Sequence, residues 1–292
     1  MSGAVWARFS DGRLHLQHGP IDVIIECWGA QSEVESAYQQ AVQRFETVLP
    51  ELVGELPALR QVVTQYPDLQ GPVARRMAAA VWPHRAVYIT PMAAVAGAVA
   101  DELLAALLKD RRLRKACVND GGDIALSLAA GESIDVGIVR DLSRPAVDAS
   151  TRIEADMPAR GVATSGWRGR SQSLGIADAV TVTARNGAAA DAAATMVANA
   201  TYVEHPAIRR LPARAVKEDT DLGDLPVTVA VGPLPARAVE AALDSGLKTA
   251  AALQKRGLLY TAFLALQGET RVLAADADQR GALPCMLTDA IP

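Results

Sequence analysis

Aromatic residues are scarce: four Trp, five Tyr and three Phe make up 4% of a 292-residue chain that is 50% hydrophobic. A core with so few rings closes by direct approach of helices and sheet, and the alanine that fills the apolar share also favours helix. Cysteine is nearly absent. Cys27, Cys117 and Cys285 stand far apart in apolar surroundings, which excludes a disulfide framework or a thiolate metal site and predicts buried thiols. No sign of charge dominates, since 29 Lys and Arg face 33 Asp and Glu for a net charge of −4. With no basic patch, nucleic acid is not an expected partner. Only four histidines occur, His15, His18, His84 and His205, and none stands in a pattern that ties it to Ser165, so a hydrolase triad is not expected.

Long hydrophobic runs are also few. The segment from Met1 to Gln17 carries Arg8, Asp11 and Arg13 and has no signal-peptide core, so the expected location is the cytoplasm. Ala86 to Leu108 is the most apolar stretch, but Pro91, Asp101 and Glu102 interrupt it and alanines dilute it. It reads as a buried helix, and no membrane association is expected.

What is present alternates between strand and helix signals. Val5–Phe9 and Leu14–His18 flank a turn at Asp11-Gly12, and Ile21–Trp28 reads as a third strand. Ser32 to Glu35 fits a capping box opening a helix whose apolar residues run from Val34 to Leu49 and end at Pro50. From Pro50 to Pro72 the prolines and Gly71 predict connecting chain with short helical pieces. Helices follow over 73–82 and 92–109. The basic run Arg111 to Lys115 reads as a complement to the second helix's C-terminus. Strands at 116–119, 123–128 and 134–139 imply an antiparallel meander. A loop over 141–159 leads to Gly161–Gly166, a half-buried strand at 179–184 and a small-residue helix at 187–200. A strand at 227–231, a helix at 235–255 and strands at 258–266 and 270–274 complete the pattern. No internal repeat is evident. Clustered strands and helices predict an α+β fold with an antiparallel sheet core, in one domain over 1–292 with an N-terminal subregion over 1–110.

Several residues carry candidate chemistry. Asp191 and Thr195 lie one turn apart near the start of the 187–200 helix, with Asn199 a further turn on, so a carboxylate and a hydroxyl share a face. Hard cations such as Mg²⁺ take oxygen ligands of this kind; the alternative is a first-turn carboxylate answering the helix dipole. Asn119, Gly121, Gly122 and Asp123 form either a plain hairpin turn or a place where a planar or phosphorylated ligand approaches the backbone. Thr164, Ser165 and Gly166 end a strand in a small hydroxyl-rich turn open to anions. Arg168 and Arg170 suit a phosphate or carboxylate, or a solvated loop.

In order along the chain, Asn119-x-Gly-Gly-Asp-Ile, Val136-Gly-Ile138, Ala163-Thr-Ser-Gly166, a Val-Thr-Val strand and Ala190-Asp-Ala-x-Ala-Thr195 resemble the ApbE-like superfamily of FAD:protein FMN transferases. The stretch Ser173-Leu-Gly-Ile-Ala-Asp178-Ala-Val-Thr-Val is similar to a shorter cytosolic branch of ApbE-related proteins. The resemblance implies an ApbE-like fold and a Mg²⁺ site formed by the Ala163 carbonyl, Asp191 and Thr195. It places Asp178 at the Asp of the catalytic region, although Gly175 stands where the transferases have His. Their Lys-Gly pair is matched only by Ala96-Gly97, with Asp101 after it.

The expectation is therefore a cleft where segments 119–124, 163–173 and 191–195 converge on FAD, FMN or another nucleotide-type ligand with Mg²⁺, without classical protein flavinylation. An enzyme of FMN- or phosphoryl-transfer type, including an FAD:protein FMN transferase, is the catalytic alternative. The resemblance also implies a non-catalytic accessory role beside a protein partner in sulfur metabolism, from sulfide to homocysteine. A homodimer is among the expected assemblies.

Overall fold

The computed structural model describes residues 3–138, 149–275 and 288–289. The chain runs β1 (Val5–Arg8), β2 (Leu14–His18), β3 (Ile21–Gly29), α1 (Gln31–Leu59), α2 (Pro72–Val81), α3 (Val95–Leu108), β4 (Leu113–Asp120) and β5 (Asp123–Leu128). It continues through β6 (Ser133–Ile138), β7 (Ala149–Glu154), β8 (Gly161–Ser165), β9 (Ala179–Ala184), α4 (Gly187–Ala200), β10 (Ile208–Pro212) and α5 (Ala213–Val216). The last elements are β11 (Pro226–Val231), α6 (Ala236–Lys255), β12 (Thr261–Leu266), β13 (Glu269–Leu273) and β14 (Thr288–Asp289). The class is α+β, and every pairing is antiparallel in the ladders that join β1 to β2, β3, β4, β5 and β8.

Two compact units divide the chain. The first comprises Met1–Ser133, Glu154–Ala163 and Ala184–Ala192; the second comprises Ile134–Ile153, Thr164–Thr183 and Ala193–Pro292.

In the first unit, alternation fixes which face is covered. Ile21, Val23 and Ile25 of β3, Leu14 and Leu16 of β2, and Ala116 and Val118 of β4 are all buried, while the intervening residues are more exposed. Helix α1 packs on this sheet through Val34, Tyr38, Ala41, Phe45 and Val48. It does not stop at Pro50. It runs 29 residues, with Pro50 and Pro57 inside it, because Leu52 and Leu59 keep its apolar stripe buried beyond the first proline. The expected capping box does not form: Ala30 is the N-cap, and Ser32 lies inside the helix with its carbonyl accepting from the Ser36 hydroxyl. The expected connection over 50–72 is thus helical as far as Leu59 and irregular from there to the start of α2.

The stretch Pro91–Leu108 is helical, and by length and composition it could cross a membrane, yet half of it is buried within the protein. Helix α3 has Ala98, Val99, Leu103 and Leu107 in the core. Its half-exposed edge joins an ion-pair network, with Glu102 bound by Arg44 and Arg76, both at 2.9 Å, and Arg44 also bound to Glu51 at 2.8 Å. The basic run after α3 does not cap that helix. Arg111 pairs with Glu33 of α1, and Arg114 and Lys115 belong to β4, where Arg114 meets Glu132 and Lys115 lies 4.7 Å from the Trp28 ring centre. Cys27 and Cys117 are half-buried free thiols, and burial pushes both up to about 12; Cys285 lies outside the described residues.

In the second unit, β9, β12 and β13 pair in that order. All six residues of β9 are buried, so this strand is covered on both faces and is not half-buried as its Val and Thr alternation predicts. Its threonines stay paired: Thr181 with Thr164 and Thr183 with Thr261, both at 2.8 Å. Helix α6 covers β12 and β13. Gly246 of α6 allows a close approach, since a β-carbon there would lie 2.1 Å from the Thr201 hydroxyl. Strand β7 falls inside the stretch that reads as loop over 141–159, and the β10–β11 hairpin adds a strand that sequence periodicity does not reveal.

Candidate functional site

In the first unit the site begins where two helix N-termini meet. The N-terminal backbones of α3 and α4 touch: a β-carbon on Gly97 would lie 2.2 Å from the Gly187 carbonyl oxygen, and one on Gly187 would lie 2.8 Å from the Gly97 carbonyl oxygen. Only glycine fits such a contact. Each helix then hands a carboxylate to the other. Asp101 of α3 accepts from the Gly187 and Ala188 amides at 2.8 and 2.9 Å, and Asp191 of α4 accepts from the Gly97 amide at 3.1 Å. The first amides of a helix have no partner within it and carry partial positive charge, so an inward carboxylate answers both needs. Asn186 adds a local cap by accepting from the Ala189 amide at 2.9 Å.

The two carboxylates differ in their surroundings. Asp101 is buried, which raises its carboxyl above the usual value, while its two amide donors act in the opposite direction. Asp191 is half-buried, and its carboxyl is pushed well above the usual range by desolvation and by the nearby charges of Asp123 and Asp120. The Gly97 and Ala96 amides offset only part of this. The fold therefore brings Asp123 and Asp191, both singled out from sequence, within electrostatic reach of each other, and adds the buried Asp120.

The turn that presents Asp123 is the β4–β5 hairpin. Gly121 and Gly122 have φ of +62° and +109°, values that glycine alone adopts readily, and the Asn119 side chain closes the turn by accepting from the Gly122 amide at 2.8 Å. A β-carbon on Gly122 would meet nothing within 4 Å, so that backbone faces open space. Ala163 is fully buried in β8. Gly161, at the start of that strand, abuts the chain entering α4: a β-carbon there would lie 2.0 Å from the Asn186 carbonyl oxygen.

In the second unit, Asp178 organises the turn that follows β8. Its carboxylate accepts from the Trp167 indole at 3.2 Å, Arg168 Nε at 2.7 Å and the Gln267 amide at 2.6 Å. Arg168 also lies over the Trp167 ring at 4.8 Å. Gly166 is needed here because a β-carbon would lie 2.5 Å from the Asp178 carbonyl oxygen. Thr164 is exposed and bonds to Thr181, Ser165 is half-buried and Arg170 is exposed. Thr195 is half-buried one turn beyond Asp191 on α4, and Asn199 accepts from the Leu174 amide at 2.9 Å, so Asn199 braces the 173–175 segment.

Sequence periodicity did not expose the clasp between α3 and α4, although the signal is present. Gly97-Ala-Val-Ala-Asp101 and Gly187-Ala-Ala-Ala-Asp191 are the same Gly-Ala-x-Ala-Asp pentad. The expected lack of any internal repeat is thus corrected by this short one, which joins the two helices. Among the described residues no group of three or more His, Cys, Asp or Glu is placed to hold a metal ion. A cavity of about 300 Å³ in the first unit, bordered by Arg8, Glu26, Trp28, Tyr38 and Arg114, contains none of the candidate ligand-binding or metal residues expected from sequence. Chemically, the region around Asp191 offers a carboxylate short of positive charge beside an open glycine turn.

A family model described as AbpE bacteria matches residues 6–272. A UPF0280 protein of Methanopyrus kandleri is 35% identical over 178 residues, which are 60% of this chain and 68% of that protein. One of Methanocaldococcus jannaschii is 37% identical over 115 residues, 38% of this chain and 45% of that protein. A solved structure of the ApbE protein from Thermotoga maritima covers 92% of this chain and 96% of its own at 12% identity, with a TM-score of 0.48. With the match spanning nearly its whole length, the chain belongs to the AbpE bacteria family, an ApbE-like branch that also resembles the archaeal UPF0280 proteins.

Proposed function

We propose that this ApbE-like protein binds a pyrophosphate-containing nucleotide, a flavin or a compound of that class, together with Mg²⁺, with Asp191 as the carboxylate ligand. The observation that carries the reading is the state of Asp191: desolvated, facing the charges of Asp123 and Asp120, and compensated by backbone amides alone. A divalent cation at this carboxylate would offset the repulsion that pushes its proton affinity up. The donor set implied by the family resemblance, the Ala163 carbonyl, the Asp191 carboxylate and the Thr195 hydroxyl, is all hard oxygen and suits Mg²⁺ completed by water and phosphate. When bound, the ion would neutralise pyrophosphate charge. The open backbone at Gly122 supplies room for the ligand on the first unit.

Flavin transfer to a protein is not part of this reading. Ala96 stands where the transferases carry Lys, and Gly175 where they carry His, which removes a cation and a proton-handling group. Asp178 enters as the residue that holds the Trp167–Arg168 turn, since its carboxylate already accepts three hydrogen bonds. Isothermal titration with FAD, FMN and ADP, each with and without Mg²⁺, tests the reading. Magnesium-dependent binding of FAD or ADP that disappears in Asp191→Ala is the expected result; no binding of any of the three with Mg²⁺ overturns it.

A further inference from the structure

We infer that Asp101 is a positioning residue for Asp191: it sets the first turn of α4 against α3 and so fixes where the Asp191 carboxylate meets its ligand. The inference rests on the proposed metal-binding role of Asp191.

The two Gly-Ala-x-Ala-Asp pentads build a nearly reciprocal clasp. In each, the Asp lies one helical turn after the Gly, and it bonds to the Gly amide of the opposite pentad. The exchange is unequal. Asp101 uses both carboxylate oxygens on α4, Oδ1 on Gly187 and Oδ2 on Ala188, and it is buried. Asp191 accepts from the Gly97 amide through Oδ2 at a longer 3.1 Å, with the Ala96 amide also acting on its carboxylate, and it remains half-buried. The Asp101 half of the clasp is therefore the shorter and the more buried of the two.

Backbone contact makes the coupling stiff. Gly97 and Gly187 touch without intervening side chains, so a shift at the start of α4 is not absorbed by rotamer changes and moves the whole first turn. Asp101 is the only side chain outside α4's own lead-in that the described hydrogen bonds join to the first two amides of that helix. Asn186 reaches the third residue, Ala189, and belongs to the chain entering α4. Removing the Asp101 carboxylate leaves two helix amides buried without acceptors and frees the turn that carries Asp191.

The test uses the full chain and Mn²⁺ as the probe ion, with binding followed by electron paramagnetic resonance and the Gly97 amide followed by hydrogen exchange. Residues that orient metal ligands typically change affinity by about 10- to 100-fold when removed. Asp101→Ala is expected to weaken Mn²⁺ binding by at least about tenfold and to speed Gly97 exchange. Asp101→Asn, which keeps the shape and one acceptor, is expected to fold, to lose less affinity than Asp101→Ala and to show intermediate exchange. Should Asp101→Ala not fold, Asp101→Asn decides alone. Wild-type Mn²⁺ affinity and wild-type Gly97 protection in a folded Asp101 variant overturn the inference. Failure of the wild-type protein to bind Mn²⁺ would sink the metal reading instead, and Gly97 exchange would then decide whether Asp101 orders the clasp.

Discussion

Gly97 and Gly187 meet backbone to backbone, with so little space that a β-carbon on the first would lie 2.2 Å from the carbonyl oxygen of the second. Each donates its amide hydrogen to the aspartate of the other helix. A contact of this kind separates glycines that the fold requires from those it merely tolerates.

Gly97→Ala should therefore destabilise the protein by about 1–3 kcal/mol or more, because two backbones must separate to admit the methyl group. Gly54 gives the contrasting case: it lies exposed inside α1, and a β-carbon there meets nothing within 4 Å. Gly54→Ala should stabilise by about 0.5–1 kcal/mol through helix propensity. Urea unfolding midpoints of the two variants, moving in opposite directions, check the pair.

Asp191→Asn should raise the stability of the metal-free protein at neutral pH and abolish its response to Mg²⁺. Folding raises the carboxyl of Asp191 above its usual value, so the native state holds its proton more tightly than the unfolded chain. Stability linked to this group is then complete below the unfolded value of 3.8 and is lost as pH rises through the higher folded value. The variant lacks that loss. Its advantage over wild type should be near zero at the acid end, grow with pH and level off, as melting curves across the range would record. Added Mg²⁺ should raise the melting temperature of wild type alone.

Asp178→Ala should loosen the turn after β8 at a cost of about 1–3 kcal/mol, since the Gln267 amide and the Trp167 indole both lose their acceptor. A red shift and increased quenching of Trp167 emission would report it. The other three tryptophans, changed singly to Phe, establish which emission belongs to Trp167.

Pro50→Ala should stabilise α1 by about 1–3 kcal/mol. Pro50 is exposed, it lies inside the 29-residue helix, and it supplies no amide to the preceding turn. A lower midpoint than wild type in chemical denaturation would count against this account of how α1 passes its prolines.

How far residues dictate these features can be judged from particular elements. The first three strands and the bounds of α4 follow from alternation, from the Asp11-Gly12 turn and from a small-residue run that begins at Gly187. Local signals fail where tertiary packing outweighs them. Proline predicts a stop at position 50, but buried Leu52 and Leu59 carry α1 onward, and Ser32 fits a capping box, yet the N-cap lies two residues earlier at Ala30. β10 has little alternation because arginines fill it, so only its partner β11 makes it a strand.

For the candidate site, the acidic and glycine residues are legible one at a time, while their partners are not. That Asp191 faces Asp120 and Asp123, and that Asp178 gathers Trp167, Arg168 and Gln267, depends on contacts between residues distant in sequence. Spacing within a single element carries no information about such contacts.

The clasp also bears on how the chain reaches its native state. Asp101 finds its amide donor 86 positions later, and the first unit is completed only by Ala184–Ala192. Closing so long a loop comes late and slowly. A growing polypeptide would leave the Asp101 acceptor and the first unit's strands waiting until α4 emerges, so this region is where truncated chains and chaperone dependence should first become visible.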